Sequence, residues 1–344
     1  ENLVAGTNAG ANLNGTSACY NVFLGFNAGR RTTSGANNVA IGPLSAGCNI
    51  TTGDYNIHLG YRAGGGDTSS DQTGDLNITM GCDTAKLLTS GAANVLLGTA
   101  VAVNNYVTGA RNVAIGCRAH ERLNSGNDNI TLGTYAGMDL CVGDDNVNIG
   151  RCAGYSNNNN INVHIGREAG LCSTAKGNTI VGTSAGKSIS TGCYNTIFGA
   201  YAATYSGCEG TLTGHCNILI VTILGGGRLT AGCDNILMGC HAGLKMASGN
   251  NTIFIGPGAG CCRESGSGDV LIGFRANYQN CTGGHTIAIG SQSAEYARCG
   301  CNVTMGNRAG YQDYCGMRSV YIGHGAGYNG QCRSGQNTAV GHDA

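Results

Sequence analysis

Residues 112–119 read Asn-Val-Ala-Ile-Gly-Cys-Arg-Ala, and this order of Asn, three residues, Gly and a later small residue recurs along the chain. Asn38–Gly42 and Asn146–Gly150 are close copies. The repeat Gly occupies nineteen positions, most of them 16 to 18 residues apart, and one further copy, Asn217–Val221, has Val in the Gly position. A short fixed period of this kind predicts a stack of coils in which each coil contacts its neighbours.

Alternating residues between the Asn and the Gly predict a short β-strand in every coil. The residue before the Gly is apolar in all nineteen coils, and the residue three before it is Val, Ile or Leu in sixteen. The residue between them varies, as Ala40, His58 and Thr79 show. A period of two places alternate side chains on opposite faces. We therefore expect the two apolar residues to face a core and the middle residue, including His58 and His164, to point outward.

The repeat predicts an all-β fold, a parallel β-solenoid or β-roll of about 20 coils with 16–18 residues per coil. Residues 1–344 form a single β-solenoid repeat domain in this interpretation, with an irregular long-loop region at residues 200–221. Coils stack about 4.8 Å apart, so about 20 coils extend about 95 Å. One strip of coils makes a thin core. The sequence leaves open whether one chain or three chains around an axis build the rod.

Two positions of the coil that recur along the chain have predicted structural roles. The residue four before the Gly is Asn in fifteen coils and a short polar residue in the others. Stacked coils would align these side chains into a hydrogen-bonded Asn ladder; its representatives are Asn38, Asn56, Asn94, Asn112, Asn146, Asn195 and Asn235. The repeat Gly is expected to adopt a positive φ or to admit a neighbouring backbone; its representatives are Gly42, Gly60, Gly98, Gly116 and Gly150.

Cysteines and glycosylation sequons favour an extracellular or secreted protein, or one at a cell or virion surface. The chain has 19 cysteines, a load typical of oxidising compartments. Four of them occupy nearly the same loop position on consecutive coils and are candidates for inter-coil disulfides, with the pairing left open: Cys281, Cys299, Cys315 and Cys332. Among the Asn-x-Ser/Thr sequons, four are candidate N-glycosylation sites: Asn14, Asn49, Asn250 and Asn280.

Motifs of enzymes and of nucleic-acid or membrane proteins find little support. The formal net charge is zero without a basic face, and the longest apolar run, Ile218–Leu224, is too short to span a bilayer. Gly182–Gly186 matches the Gly-x-Ser-x-Gly elbow of hydrolases, but the repeat already requires this pattern. The histidines are scattered. We predict no catalytic residue, no metal site, no cofactor, no nucleic-acid partner and no membrane span, hence a protein that is not an enzyme.

The string Asn-x-Val-Ala-Ile-Gly-x-x-Ala resembles the head repeats of YadA-type trimeric autotransporter adhesins, and it also resembles β-solenoid repeats of phage tail fibres. Asn38–Gly42, Asn112–Gly116 and Asn337–Gly341 carry the resemblance, which extends over nearly the whole chain. In that family three chains form a parallel β-roll that serves as an extracellular stalk or adhesive head. Two features depart from it, since the coils here are longer and the chain is rich in cysteine.

The sequence therefore predicts a non-enzymatic structural subunit of an extracellular fibre or filament. Repeats that begin and end the chain without atypical capping units predict end-to-end stacking. The expected partner is the chain itself, as a homo-oligomer that associates head to tail, as a trimer, or both. The alternative is an adhesin head or a phage tail-fibre segment that binds glycans or a cell-surface receptor through its loops. Tyr155, Tyr311 and Tyr328 share one loop position that could serve such binding or ordinary packing.

Overall fold

The structure is a computed structural model that describes residues 1–65, 70–203, 212–221, 229–281, 283–298, 300–314, 317–329 and 335–344. No helix occurs among these residues. The chain divides into two compact units, Glu1–Thr174 (unit 1) and Ala175–Ala344 (unit 2). Each unit is a parallel β-solenoid, which confirms the predicted all-β solenoid class. The prediction of a single domain over residues 1–344 stays a prediction.

Unit 1 contains ten strands of three residues, paired in parallel in chain order. Paired residues lie 16 to 21 positions apart, which is one coil of the repeat. The strands are β1 Leu3–Ala5, β2 Val22–Leu24, β3 Val39–Ile41, β4 Ile57–Leu59, β5 Ile78–Met80, β6 Val95–Leu97, β7 Val113–Ile115, β8 Ile130–Leu132, β9 Val147–Ile149 and β10 Val163–Ile165.

Unit 2 repeats this arrangement with ten strands in its main sheet and adds a small second sheet. Paired residues in the main sheet lie 16 to 22 positions apart. Its strands are β11 Thr179–Val181, β12 Thr196–Phe198, β13 Ile218–Ile220, β14 Ile236–Met238, β16 Ile253–Ile255, β18 Val270–Ile272, β19 Ile287–Ile289, β20 Val303–Met305, β21 Val320–Ile322 and β22 Thr338–Val340. The second sheet pairs β15 Ser248–Asn250 with β17 Ser265–Ser267 in parallel. Much of the predicted irregular region, residues 200–221, lies outside the described residues.

The repeat Gly is required both by its backbone conformation and by the spacing between coils. Gly60 and Gly150 have φ values of +129° and +128°, which side chains disfavour. A Cβ atom on Gly150 would lie 2.6 Å from the carbonyl oxygen of Gly166 in the next coil. A Cβ atom on Gly60 would likewise lie 2.5 Å from the Gly81 carbonyl oxygen. In these coils the strand therefore ends at a residue where two backbones touch, and only Gly fits at residues 60 and 150.

The strands have the predicted period of two, but the predicted direction of their side chains is wrong. The middle residue of the strand is the buried one: Ala114, His58 and His164 are each 0% exposed. The flanking residues Ile41 and Ile115 are 38% and 40% exposed. The Asn four before the Gly explains the inversion. Its side chain points inward to bond neighbouring coils, and alternation then turns the middle strand residue inward as well.

The core of each unit is narrow and is built from three positions per coil. These are the middle strand residue, the small residue three after the Gly, and the residue seven after it. In one coil of unit 1 they are Ala114, Ala119 and Leu123, all 0% exposed and members of one apolar cluster. Small residues at the second position bring the opposite walls of the coil close together.

Candidate functional site

The outward face of the main sheet in each unit is apolar at nearly every strand position. The first and third residues of every main-sheet strand point to this face, which we call the apolar face. In unit 1 all twenty of these residues, from Leu3 to Ile165, are apolar. In unit 2 seventeen of twenty are apolar, and the others are Thr179, Thr196 and Thr338. Exposed examples in unit 2 are Phe198 at 40% and Ile220 at 42%.

The apolar face of each unit is large for a free protein surface. Ten strands spaced about 4.8 Å apart, with two columns of side chains that together span about 10 Å, give a strip of about 500 Å² per unit. The largest apolar patch on a monomeric protein is usually about 300–600 Å² and often marks an interaction site. Each unit alone is therefore near the upper end of this range, and the chain contains two such strips.

The interior of unit 1 contains buried polar side chains as well as apolar ones. Buried His58 has its Nδ1 atom 2.7 Å from Thr79 Oγ1 and its Nε2 atom 3.1 Å from Gln72 Nε2. Buried His164 has its Nδ1 atom 2.8 Å from Asn148 Oδ1. Burial lowers the pKa of His58 to about 3 and that of His164 to about 4, because the charged imidazolium is poorly solvated there. These histidines are neutral core residues and are not accessible ligands.

The Asn ladder runs through the interior of both units. All seven predicted ladder residues are 0% exposed. Asn112 shows the pattern, since its Nδ2 atom donates to Asn94 Oδ1 at 3.0 Å and to the Gly126 carbonyl at 2.7 Å. Its own Oδ1 atom accepts from the backbone N and the Nδ2 atom of Asn129, both at 3.0 Å. Each amide thus links three coils and satisfies buried backbone groups.

One rung of the ladder in unit 2 is replaced by a buried ion pair. Asp269 occupies the Asn position, and Arg263 occupies the core position seven after a repeat Gly. The Arg263 Nη2 atom lies 2.7 Å from Asp269 Oδ2, and both side chains are 0% exposed. Burial raises the pKa of Asp269, and the guanidinium of Arg263 opposes that shift. The pair compensates for a carboxylate in a position that otherwise holds a neutral amide.

This compensation predicts strong coupling between the two residues. Arg263→Met should lower the free energy of unfolding of unit 2 by about 3–5 kcal/mol, because it leaves a buried carboxylate without a counter-charge. The double variant Arg263→Met/Asp269→Asn should recover most of that loss, since Met246 holds the equivalent core position of the preceding coil and Asn235 the ladder position two coils before Asp269. Urea unfolding of the single and double variants measures the coupling. Equal losses in both variants would contradict it.

Several predicted sites have different surroundings from those expected. Asn14 and Asn250 are exposed, whereas Asn49 and Asn280 are 0% exposed, so burial argues against glycosylation of these two in the folded chain. Cys281 has a free thiol. The other three candidate disulfide cysteines, Cys299, Cys315 and Cys332, lie outside the described residues. Ser184 of the hydrolase-like motif is only 5% exposed, in keeping with a turn residue of the repeat.

Tyrosine rings in the shared loop position pack against one another. Tyr311 stacks on Tyr328 with ring centroids 5.0 Å apart and contacts Tyr296 edge-on at the same distance. Tyr155 instead lies beside Tyr135, 6.4 Å between centroids. The ring of Tyr311 is therefore in contact with a neighbouring ring on either side, an arrangement typical of packing between coils.

A group of metal-binding residue types near residue 324 was missed by the sequence analysis. His324 and His342 each follow a repeat Gly directly, and Asp343 follows His342. One ligand atom from each of the three side chains lies within 4.8 Å of the others. The signal was available, because residues in equivalent positions of consecutive coils must lie side by side in a parallel solenoid.

These features define the class of the molecule as a parallel β-solenoid repeat protein with an apolar outer face. A comparison with protein-family models gave no match, and a comparison with curated proteins gave none. The likeness to autotransporter head repeats therefore remains a resemblance of the coil motif. The part of the chain that the structure describes contains no helix long and apolar enough to cross a membrane.

Proposed function

We propose that this chain is a non-enzymatic structural subunit of an extracellular fibre whose copies associate side by side through the apolar face. The observation that carries the proposal is the outward direction of the two apolar columns, which leaves residues such as Ile41 and Ile115 exposed in one chain. A parallel sheet is normally covered on both faces. Here the coil covers one face, and another copy of the same chain would cover the other.

Magnitudes favour association over a solvated face. Burial of about 500 Å² on each of two partners removes about 1,000 Å² of apolar surface from water, a gross gain of about 25 kcal/mol. Association costs about 4–15 kcal/mol in lost translational and rotational freedom. The difference favours a stable complex, and the unusual length of the strip favours alignment of the partners along it. Either a dimer or three chains around an axis satisfies this argument.

An extracellular setting is supported by composition and by surface sequons. The chain carries 19 cysteines, and the sequons at Asn14 and Asn250 are exposed. The end-to-end stacking expected from the repeats belongs to the same proposal. Electron microscopy of native material would detect it as filaments with a regular axial repeat, whereas discrete rods would favour a head segment of an adhesin or tail fibre.

The apolar-face proposal predicts a large change in oligomeric state. The variant Ile41→Lys/Ile115→Lys should weaken self-association at least about 100-fold, because each buried, uncompensated charge costs several kcal/mol. Both side chains are exposed in one chain, so the isolated fold should tolerate them. Sedimentation equilibrium of the full chain over a range of concentrations measures the effect.

Val142→Lys provides the matched control. Val142 is apolar and 49% exposed but lies outside the strands, so its substitution should leave the assembly unchanged. A wild-type chain that remains monomeric at every concentration would refute lateral association. An unchanged assembly in the Ile41→Lys/Ile115→Lys variant would refute the apolar face as its surface.

A further inference from the structure

The side chains of His324, His342 and Asp343 form a cluster that the fibre function does not use. The two imidazole rings stack with centroids 4.8 Å apart and an interplanar angle of 11°. The Asp343 carboxylate lies beside both rings, with Oδ2 at 3.0 Å from His342 Nδ1 and Oδ1 at 3.6 Å from His324 Nδ1. The three side chains are 55%, 74% and 64% exposed, so their donor atoms face solvent.

The solenoid register holds the three residues together. The backbone N of Asp343 donates to the His324 carbonyl at 2.8 Å, and the backbone N of Gly327 donates to Ala344 at 2.8 Å. These bonds fix the last described coil on the one before it. Because His324 and His342 occupy the same position in the two coils, this register keeps their backbones side by side.

The Asp343 carboxylate lies in space that is open because Gly325 has no side chain. Gly325 has a φ of +64°, and a Cβ atom there would collide with Asp343 Oδ1. The equivalent position in two earlier coils holds a long side chain, Arg275 or Arg308, also at positive φ. A Cβ atom at residue 325 would therefore force this carboxylate out of its present place beside the two rings. This substitution within the repeat is an observation independent of the histidine spacing.

The charge of the cluster is not neutralised by a basic residue. Within the described part of the chain Asp343 has no Lys or Arg ion-pair partner, and the side chains beside its carboxylate are the two imidazoles. Arg308 in the preceding coil is engaged elsewhere, with its Nε atom 3.0 Å from Gln292 Oε1. A carboxylate between two imidazoles without a permanent cation is a donor set suited to a transition-metal ion.

We propose that His324, His342 and Asp343 bind one divalent transition-metal ion of the zinc type. Zinc accepts imidazole nitrogen and carboxylate oxygen at about 2.0–2.2 Å, which separates tetrahedral donors by about 3.4 Å. The donors here are within 4.8 Å of one another, and exposed side chains reach the bonding distance by rotation about their own torsions. Three protein ligands leave a fourth position for water or for a donor on another molecule.

The test is titration of the full chain with Zn²⁺, in protein that carries no polyhistidine tag. Free thiols also bind zinc, and several cysteines have free, exposed thiols, so they must first be alkylated. Isothermal titration calorimetry should then show one bound ion per chain. His342→Ala and Asp343→Asn should each weaken this binding at least about 10-fold, since even outer-shell changes at metal sites cost about 10–100-fold.

Two other exposed histidines supply matched controls. His241→Ala and His285→Ala remove the same side chain from other coils and should leave zinc affinity unchanged. A second variant, Gly325→Ala, should weaken binding by displacing the carboxylate while all three ligands remain. Absence of zinc binding by the alkylated wild type would overturn the proposal. So would an affinity that is the same in wild type and His342→Ala.

Discussion

Acidification should unfold unit 1 before unit 2. The three fully buried histidines described in the structure, His58, His120 and His164, all lie in unit 1. Burial lowers their pKa values from 6.5 to about 3 for His58 and to about 4 for the other two. The described histidines of unit 2 are not buried. We therefore expect hydrogen exchange protection to be lost from residues 1–174 first as the pH falls.

The sign of the effect follows from proton binding. Because the folded pKa values are depressed, the unfolded chain binds more protons below about pH 6.5, and folding stability falls as the pH approaches the folded values. At about pH 4.5 each histidine accounts for a loss of about 2.5 kcal/mol, or about 7–8 kcal/mol for the three. In unit 2 burial raises the pKa of Asp269. This shift has the opposite consequence for stability, because at this group the folded chain binds more protons than the unfolded chain as the pH falls.

Residues already used by the repeat supply control variants. Thr79 and Asn148 occupy the same strand position as His58 and His164 in neighbouring coils. His58→Thr/His164→Asn should therefore keep the fold at neutral pH and shift the acid transition of unit 1 to lower pH. Hydrogen exchange measured by mass spectrometry reports each unit separately. Simultaneous loss of both units, or an unshifted transition in this variant, would contradict the role of the buried histidines.

Removal of one ladder amide should be the most damaging single change to unit 1. Asn112→Ala deletes four side-chain hydrogen bonds and leaves the Gly126 carbonyl and the Asn129 backbone N without these partners inside the coil. At about 0.5–1.5 kcal/mol per bond, the expected loss is about 2–6 kcal/mol of unfolding free energy. Urea denaturation followed by circular dichroism measures it.

Asn112→Thr is the corresponding control. Thr252 already occupies a ladder position, where its Oγ1 atom donates to Asn235 Oδ1 at 2.8 Å. A hydroxyl at residue 112 should preserve the hydrogen bond to Asn94 Oδ1. It should lose the further hydrogen bonds that an amide makes because it has both an oxygen and a nitrogen atom. We expect less than half the destabilisation of Asn112→Ala. Equal effects of the two variants would show that side-chain volume, and not hydrogen bonding, determines stability at this position.

Repetition made the coil predictable from the sequence. It did not reveal which residues of each strand point into the core. The positions of Asn112 and Gly116 indicated the ladder and the tight approach of coils, because both roles depend on short-range chemistry. The assignment of Val113 and Ile115 to the core relied on hydrophobicity alone. The buried amide of Asn112 sets the phase instead, and it places Ala114 inside. The outward position of Val113 and Ile115 depends on where the amide of Asn112 points, which hydrophobicity along the sequence does not reveal.

The same inversion explains what was missed in the interior and at the histidine cluster. A variable middle position suggested solvent, so His58 was expected on the surface, yet it is buried with Thr79 and Gln72 as partners. The group at His324, His342 and Asp343 does not stand out in the linear sequence, in which the histidines are scattered. Equivalence of positions between coils was the informative measure.

The Asn ladder also favours an order in which the coils fold. Each amide oxygen, such as Asn94 Oδ1, accepts from the Asn of the following coil, here Asn112 at 3.0 Å. A completed coil therefore presents acceptors to a segment that leaves the ribosome later. Contacts between residues about one coil apart in the chain keep loop closure inexpensive in entropy. Folding can accordingly advance from the amino end, with each finished coil as the template for the next.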